Sequence, residues 1–261
     1  MIQDNLTVSI IQTDITWENK AKNLEMFAEK VRACGSYSDI ILLPEMFTTG
    51  FSMHASNLAE TVHDETINTL KKWALTENAM LVGSFIATDN NHVYNRGFAV
   101  LPSQEIYWYD KKHLFSMSKE DAVFTPGNAP CIVPYKGWNI SLAICYDLRF
   151  PVWLRNTNNA YDMLLVVANW PESRKEAFNT LLKARAIENS CYVCAANRIG
   201  IDGNQVVYAG NSQIVDFKGT IVANTAEHTD NIVSATVNKD LLIAFREKFP
   251  VWKDADPFSL L

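Results

Sequence analysis

Three polar clusters stand where apolar runs stop. "NISLAIC" ends in Cys145, with Asp147 and Arg149 just beyond it. "DIILLPE" turns at Pro44 and presents Glu45, and "EIYWYDKKH" ends in Lys111, Lys112 and His113. A free thiol near neutral pH is mostly protonated, so Cys145 needs a base or a cation before it acts as a nucleophile. A partly buried glutamate can accept its proton. A lysine in the same pocket favours the thiolate and donates to the oxyanion that forms on an attacked carbonyl, where losing one donor costs about 3–4 kcal/mol. Glutamate, lysine and cysteine together suit acyl transfer with ammonia or an amine as leaving group. Arg149 follows Cys145 by one short turn, and its planar fork suits a substrate carboxylate. Asn169 and Trp170 close the next apolar run, "DMLLVVAN", and are candidates for the pocket wall.

These groups have to be delivered by elements. Short, β-branched-rich runs read as buried strands: "LTVSIIQT", "DIILLPE", "AMLVGSFIA", "YNRGFAVL", "EIYWYD", "NISLAIC", "DMLLVVAN", "CYVCAAN", "NSQIVDF", "TIVANT" and "NIVSATV". Helical spacing marks 17–33, with a stripe of Ala21, Leu24, Phe27, Ala28 and Val31. It also marks 64–78, with Ile67, Leu70, Trp73 and Ala74, and then 174–189 and 238–248. Asn90-Asn91 and Asp202-Gly203 read as hairpin turns. Buried strands alternating with helices suggest sheet packed on sheet with helices outside, and loops beyond strand ends as the place for chemistry.

The chain has 261 residues, 48% hydrophobic and 20% charged, enough for one large core. With no repeat, low-complexity tract or linker, one domain over 1–261 is expected. A net charge of −6 argues against nucleic acid. No apolar run has the length of a membrane-spanning helix, and the first residues lack a secretory pattern. Five cysteines, an odd number, suit free thiols in a reducing compartment, so a cytoplasmic location is expected.

"LLPEMFTTGF", "YDKKHLF" and "ICYDLRFP", in that order, resemble the three signature segments of the nitrilase, or carbon–nitrogen hydrolase, superfamily. "PEMFTTGF", "CYDLRFPVW", "ANWP", "ARAIEN" and "EKFPVWKDAD" are most similar to its bacterial ω-amidase (2-oxoglutaramate amidase) branch. The resemblance implies an α/β fold, a four-layer α-β-β-α sandwich, usually paired as a homodimer. It implies Glu45 as base, Lys111 rather than Lys112 as the catalytic lysine, and Cys145 as nucleophile. "EDAVFTPG" implies a supporting carboxylate at Glu120, and the oxyanion is shared by Lys111 and the backbone N–H of Tyr146. It points to Arg149 as carboxylate binder. The substrate class is small ω-amides of 2-oxo dicarboxylic acids, with no metal and no organic cofactor. The superfamily often has arginine where this chain has Asp110, which puts the packing there in question.

Each residue has a plainer reading. Cys145 can be a core cysteine, Glu45 a capping acid, and Glu120 a solvated acid in "SKEDA". Arg149 can form a structural ion pair with Asp147 or another acid. Cys191 and Cys194, spaced C-x-x-C inside a strand-like run, read as core. The enzymatic rival is a Cys–His hydrolase using His113. Other short-chain amidases, N-carbamoyl hydrolases and nitrilases are rivals within the superfamily. A catalytically silent small-molecule-binding module is the rival of another class.

Overall fold

The computed structural model describes residues 3–259. In chain order the elements are β1 (Asn5–Gln12), α1 (Lys20–Cys34), β2 (Ile40–Leu42), α2 (Ala55–Leu58), α3 (Glu65–Glu77), β3 (Met80–Asp89), β4 (His92–Val100), β5 (Ile106–Asp110), β6 (Ile132–Tyr135), β7 (Trp138–Ile144), β8 (Met163–Ala168), α4 (Lys175–Asn189), β9 (Tyr192–Asn197), β10 (Ile199–Ile201), β11 (Val207–Ala209), β12 (Gln213–Val215), β13 (Ile221–Asn224), β14 (Asn231–Asn238) and α5 (Lys239–Lys248). Several short 3-10 turns lie between them, and among the described residues no helix is long and apolar enough to cross a membrane.

The strands form two six-stranded sheets, ordered β14-β1-β2-β3-β4-β5 and β13-β12-β9-β8-β7-β6, with β10 and β11 as a separate hairpin. Each sheet has a parallel centre, β1-β2-β3 in one and β7-β8-β9 in the other, flanked by antiparallel strands. Alternation along the strands decides which core each residue enters. In the first sheet Leu6, Val8, Ile10, Ile40, Leu42, Met80 and Val82 face the second sheet and share a core with β7, β8 and β9. Their neighbours Ile11, Ile41, Leu43, Leu81 and Phe85 point the other way, onto α1 and α3. On the far side α4 covers the second sheet through Phe178, Leu182 and Ala186. The result is the four-layer α-β-β-α sandwich.

The helical stripe of α1 holds for Leu24, Phe27 and Val31, but Ala21 is exposed. Asn23 is buried instead, because its amide donates to the carbonyls of Thr16 and Thr48 at 2.8 and 2.7 Å. Asn90 and Asn91 do turn β3 into β4, both left-handed, as a tight hairpin requires. Asp202-Gly203 opens a longer loop between β10 and β11, organised by Asp202 Oδ1 accepting from the N–H groups of Asn204 and Val206. Cys191 and Cys194 are wholly buried free thiols, as the core reading expects.

Candidate active site

Glu45, Lys111 and Cys145 leave the ends of β2, β5 and β7, two strands from one sheet and one from the other. The face-to-face packing of the sheets brings these ends together. Glu45 is held by a ladder that continues past β2: Leu43 N–H donates to the Val82 carbonyl at 2.7 Å and Phe47 N–H to the Ser84 carbonyl at 3.1 Å. Ser84 Oγ also receives the N–H of Met46 at 2.8 Å. Lys111 is fixed through its backbone, donating to the Asn95 carbonyl at 3.0 Å and accepting from Gly127 N–H at 2.9 Å. Gly127 has to be glycine, since a Cβ there would lie 2.0 Å from the carbonyl oxygen of Asp110. Asp110 itself is packed without difficulty. Its cross-strand partner Arg96 donates to both of its oxygens, at 2.7 and 3.0 Å, so the guanidinium comes from the neighbouring strand.

Cys145 opens a 3-10 turn, Cys145–Arg149, with φ of 45°, a left-handed backbone rare for a residue with a side chain. Two buried side chains hold that turn in place. Asp147 accepts four bonds: from Ile144 N–H (3.0 Å) and Tyr109 O–H (2.7 Å) on Oδ2, and from His113 N–H (2.9 Å) and Nδ1 (2.8 Å) on Oδ1. Arg185 of α4, within "ARAIEN", donates to the Leu148 carbonyl through Nε at 3.1 Å and Nη2 at 2.7 Å. As second residue of the turn, Tyr146 has an N–H with no acceptor inside the turn, and that group can serve an oxyanion.

The carboxylates and the ammonium form one closed cluster. Lys111 Nζ lies 2.9 Å from Glu45 Oε1 and 2.9 Å from each oxygen of Glu120. Asn95 Nδ2 bridges the same two acids, at 2.7 Å to Glu45 Oε1 and 3.3 Å to Glu120 Oε1. Phe115 N–H donates to Glu120 Oε2 at 2.6 Å. Asn169 holds Glu45 from the second sheet, its backbone N–H on Oε2 at 2.8 Å. Glu45 and Glu120 are wholly buried and Lys111 nearly so, which rules out the capping reading of Glu45 and the solvated reading of Glu120.

Two buried acids share one ammonium. Burial raises the Glu120 carboxyl; Lys111 opposes this, and Glu45 adds to it. Burial lowers Lys111, but the charges of Glu120 and Glu45 outweigh it and hold the ammonium above its ordinary pKa. Burial, then the charge of Glu45, push the Cys145 thiol well above its ordinary value, with Lys111 pulling the other way. These directions favour a resting thiol and a charged Lys111. A proton passing to the carboxylate as sulfur attacks, with the ammonium at the new oxyanion, is the chemistry this arrangement can do.

A cleft of about 570 Å³ opens over this cluster, lined among others by Lys111, Cys145, Tyr146, Arg149, Asn169 and Trp170. Six of the sequence candidates thus share one cavity wall, with Glu45 and Glu120 behind Lys111. Arg149 makes no ion pair with Asp147; its guanidinium lies 4.8 Å from the Trp170 ring. His113 is committed to Asp147 and stacked on Phe150, with ring centroids 3.7 Å apart, and does not line the cleft. The sequence did not reveal Asn95, nor that Asp147 anchors the turn at Cys145. Asn95 is a polar residue inside an apolar strand, and that mismatch was its only signal.

A carbon–nitrogen hydrolase family model matches residues 7–247. Omega-amidase YafV of Escherichia coli (strain K12) is 41% identical over 257 residues, covering 98% of this chain and 98% of that protein. The 2-oxoglutaramate amidase of Bacillus subtilis (strain 168) is 33% identical over 255 residues, covering 95% and 96%. The crystal structure of XC1258 from Xanthomonas campestris, a CN-hydrolase superfamily protein with an arsenic adduct in the active site, superposes with a TM-score of 0.97 at 36% identity, covering 99% of this chain and 100% of that one.

Proposed function

Since the chain belongs to the carbon–nitrogen hydrolase family, we propose that residues 1–261 form one domain that hydrolyses ω-amides of 2-oxo dicarboxylic acids, such as 2-oxoglutaramate and 2-oxosuccinamate. It is an amidohydrolase that uses a cysteine. The observation that carries the residue assignment is the contact of Lys111 with both Glu45 and Glu120 in the wall of the cleft that holds Cys145.

In this reading Glu45 takes the proton of Cys145 as sulfur attacks the amide carbon. Lys111 and the N–H of Tyr146 receive the oxyanion. Glu45 then gives its proton to the departing nitrogen, ammonia leaves, and a thioester remains. Glu45 next takes a proton from water, the hydroxide attacks the thioester carbonyl, and the thiol regains its proton as the acid is released. Glu120 keeps Lys111 charged and placed. Arg149 binds the carboxylate at the far end of the substrate, with Trp170 under it. The five cysteines are all free thiols, which supports a cytoplasmic location, and a homodimer is the proposed assembly, to be read from its mass in solution.

Ammonia release from 2-oxoglutaramate by wild type and Cys145→Ala tests the reading. Wild type turns over and the variant does not; equal rates would remove the mechanism. A wild type that prefers a nitrile or an N-carbamoyl acid would move the protein elsewhere in the family, and no turnover of any of them would leave the silent binding module.

A further inference from the structure

We propose that Arg174 recognises the 2-oxo group of the substrate and turns away the 2-amino analogue, an inference that rests on the ω-amide reading above. Of the arginines near the ends of the second sheet, Arg185, Arg198 and Arg246 are buried and paired with acids. Arg149 and Arg174 line the cleft, and neither makes an ion pair among the described residues. Each is held by a ring instead. Arg149 lies 4.8 Å from the centre of Trp170, and Arg174 lies 5.2 Å from the centre of Phe115. A ring face orients a guanidinium without using its N–H donors, so all of them remain for a ligand.

Trp170 makes the two cations one frame. Its ring carries Arg149 and its Nε1–H donates to the Arg174 carbonyl at 2.8 Å. Phe115 in turn is anchored by Glu120, the acid that holds Lys111. The position of Arg174 is therefore set from both sides of the cleft.

The two unpaired guanidiniums in the wall of the cleft that holds Cys145 offer more N–H donors than the roughly four lone-pair sites of one carboxylate can take up. A 2-oxo acid brings the further oxygen on the adjacent carbon. With Arg149 on the carboxylate, Arg174 donates to that oxo oxygen. A 2-amino acid amide puts an ammonium at the same place, against a like charge. Asp202 is the one carboxylate among the described residues lining the cleft. Its oxygens are turned to the N–H groups of Asn204 and Val206 and to the Tyr208 hydroxyl, not offered as a direct partner for that ammonium.

The test compares kcat/KM for 2-oxoglutaramate, for glutaramate, which has the same two ends and no 2-substituent, and for glutamine. In Arg174→Met the preference for 2-oxoglutaramate over glutaramate falls by about tenfold or more, mostly through KM, as expected for loss of a substrate-specific hydrogen bond. Discrimination against glutamine weakens in the same variant, and Arg174→Lys recovers part of both preferences. Equal losses on 2-oxoglutaramate and glutaramate, or an unchanged ratio, would overturn the assignment to Arg174 alone. A wild type that releases ammonia from none of the three would overturn the ω-amide reading and this inference with it.

Discussion

Asn169 joins the two sheets at Glu45. Its backbone N–H donates to Glu45 Oε2 at 2.8 Å and its side-chain Nδ2 donates to the Glu45 carbonyl at 2.7 Å. Glu45 follows β2 of the first sheet and Asn169 follows β8 of the second, so both ends of the contact rest on parallel strands. The carbonyl acceptor fixes which way the amide faces.

Asn169→Ala keeps the backbone bond and deletes the side-chain bond, leaving a buried carbonyl without its partner, at a cost of about 1–3 kcal/mol. For a chain of this size that lowers Tm by several degrees, at roughly 2–4 °C per kcal/mol. Glu45, the proposed base, loses its fixed position, and kcat should fall by about tenfold to a hundredfold. An unchanged kcat with a lowered Tm would make Asn169 structural only.

Lys111→Met leaves the two buried acids without their cation. Breaking a buried pair in this way costs about 3–5 kcal/mol, so the variant unfolds well below wild type near neutral pH and has no measurable amidase activity. The loss depends on pH. Lys111 is the group that opposes the upward push of burial on Glu120. Without it the Glu120 carboxyl rises further. A carboxyl raised in the folded state contributes its full stability below its unfolded pKa, about 4.3, and loses it as pH rises through the folded value. Thermal unfolding at about pH 5 and pH 8 should therefore show a larger Tm deficit at the higher pH. A deficit equal at both would mean that Glu120 does not titrate with the lysine gone.

The proposed nucleophile is expected to rest as a thiol. Burial and the charge of Glu45 push Cys145 well above its ordinary pKa, and burial raises Cys34 to about 12 and Cys131 to about 11. Cys191 and Cys194 are likewise raised by burial. Thiolate absorbance in the ultraviolet should show no titration step between about pH 6 and 9, unlike enzymes that store a thiolate against an imidazolium. A step in that range that disappears in Cys145→Ala would replace proton transfer to Glu45 during attack with a preformed ion pair.

Much of this was readable in the sequence because strand ends announce themselves. Apolar runs that stop at Glu45, Lys111 and Cys145 mark where the sheets hand over to the site, and α1, α3, α4 and α5 carry the spacing of one-sided helices. Buried polar partners leave no such trace. Asp147 was visible as a charge after the cysteine, but its four donors come from β5, β7 and the turn after Lys111, which only the folded chain assembles. Asn95 acts across two sheet strands and a loop, at residues 50 and 25 positions away. β6, β10 and β11 were missed; Pro134 interrupts the first and Gly200 the second.

His113 and Asp147 separate two kinds of cysteine hydrolase. If His113 were the base, His113→Asn would abolish acylation in a folded protein. Here its Nδ1 is held by Asp147 at 2.8 Å and its ring is stacked on Phe150, so the substitution removes a packing contact and one bond on Asp147. Acylation, read as the ammonia released in a single turnover of 2-oxoglutaramate, should stay within about tenfold of wild type. Asp147→Asn is the harsher change. Four donors converge on two carboxylate oxygens, and an asparagine turns one of those oxygens into a donor facing other donors. Whichever way the amide is placed, either Ile144 N–H and Tyr109 O–H or the N–H and ring of His113 lose their acceptor. Ile144 immediately precedes the nucleophile, and His113 lies two residues beyond Lys111. The variant therefore loosens the geometry between Cys145 and Lys111, and its single-turnover rate should drop by about a hundredfold even where the protein stays folded. A reversed order, with His113→Asn inactive and Asp147→Asn active, would transfer the role of base from Glu45 to the histidine.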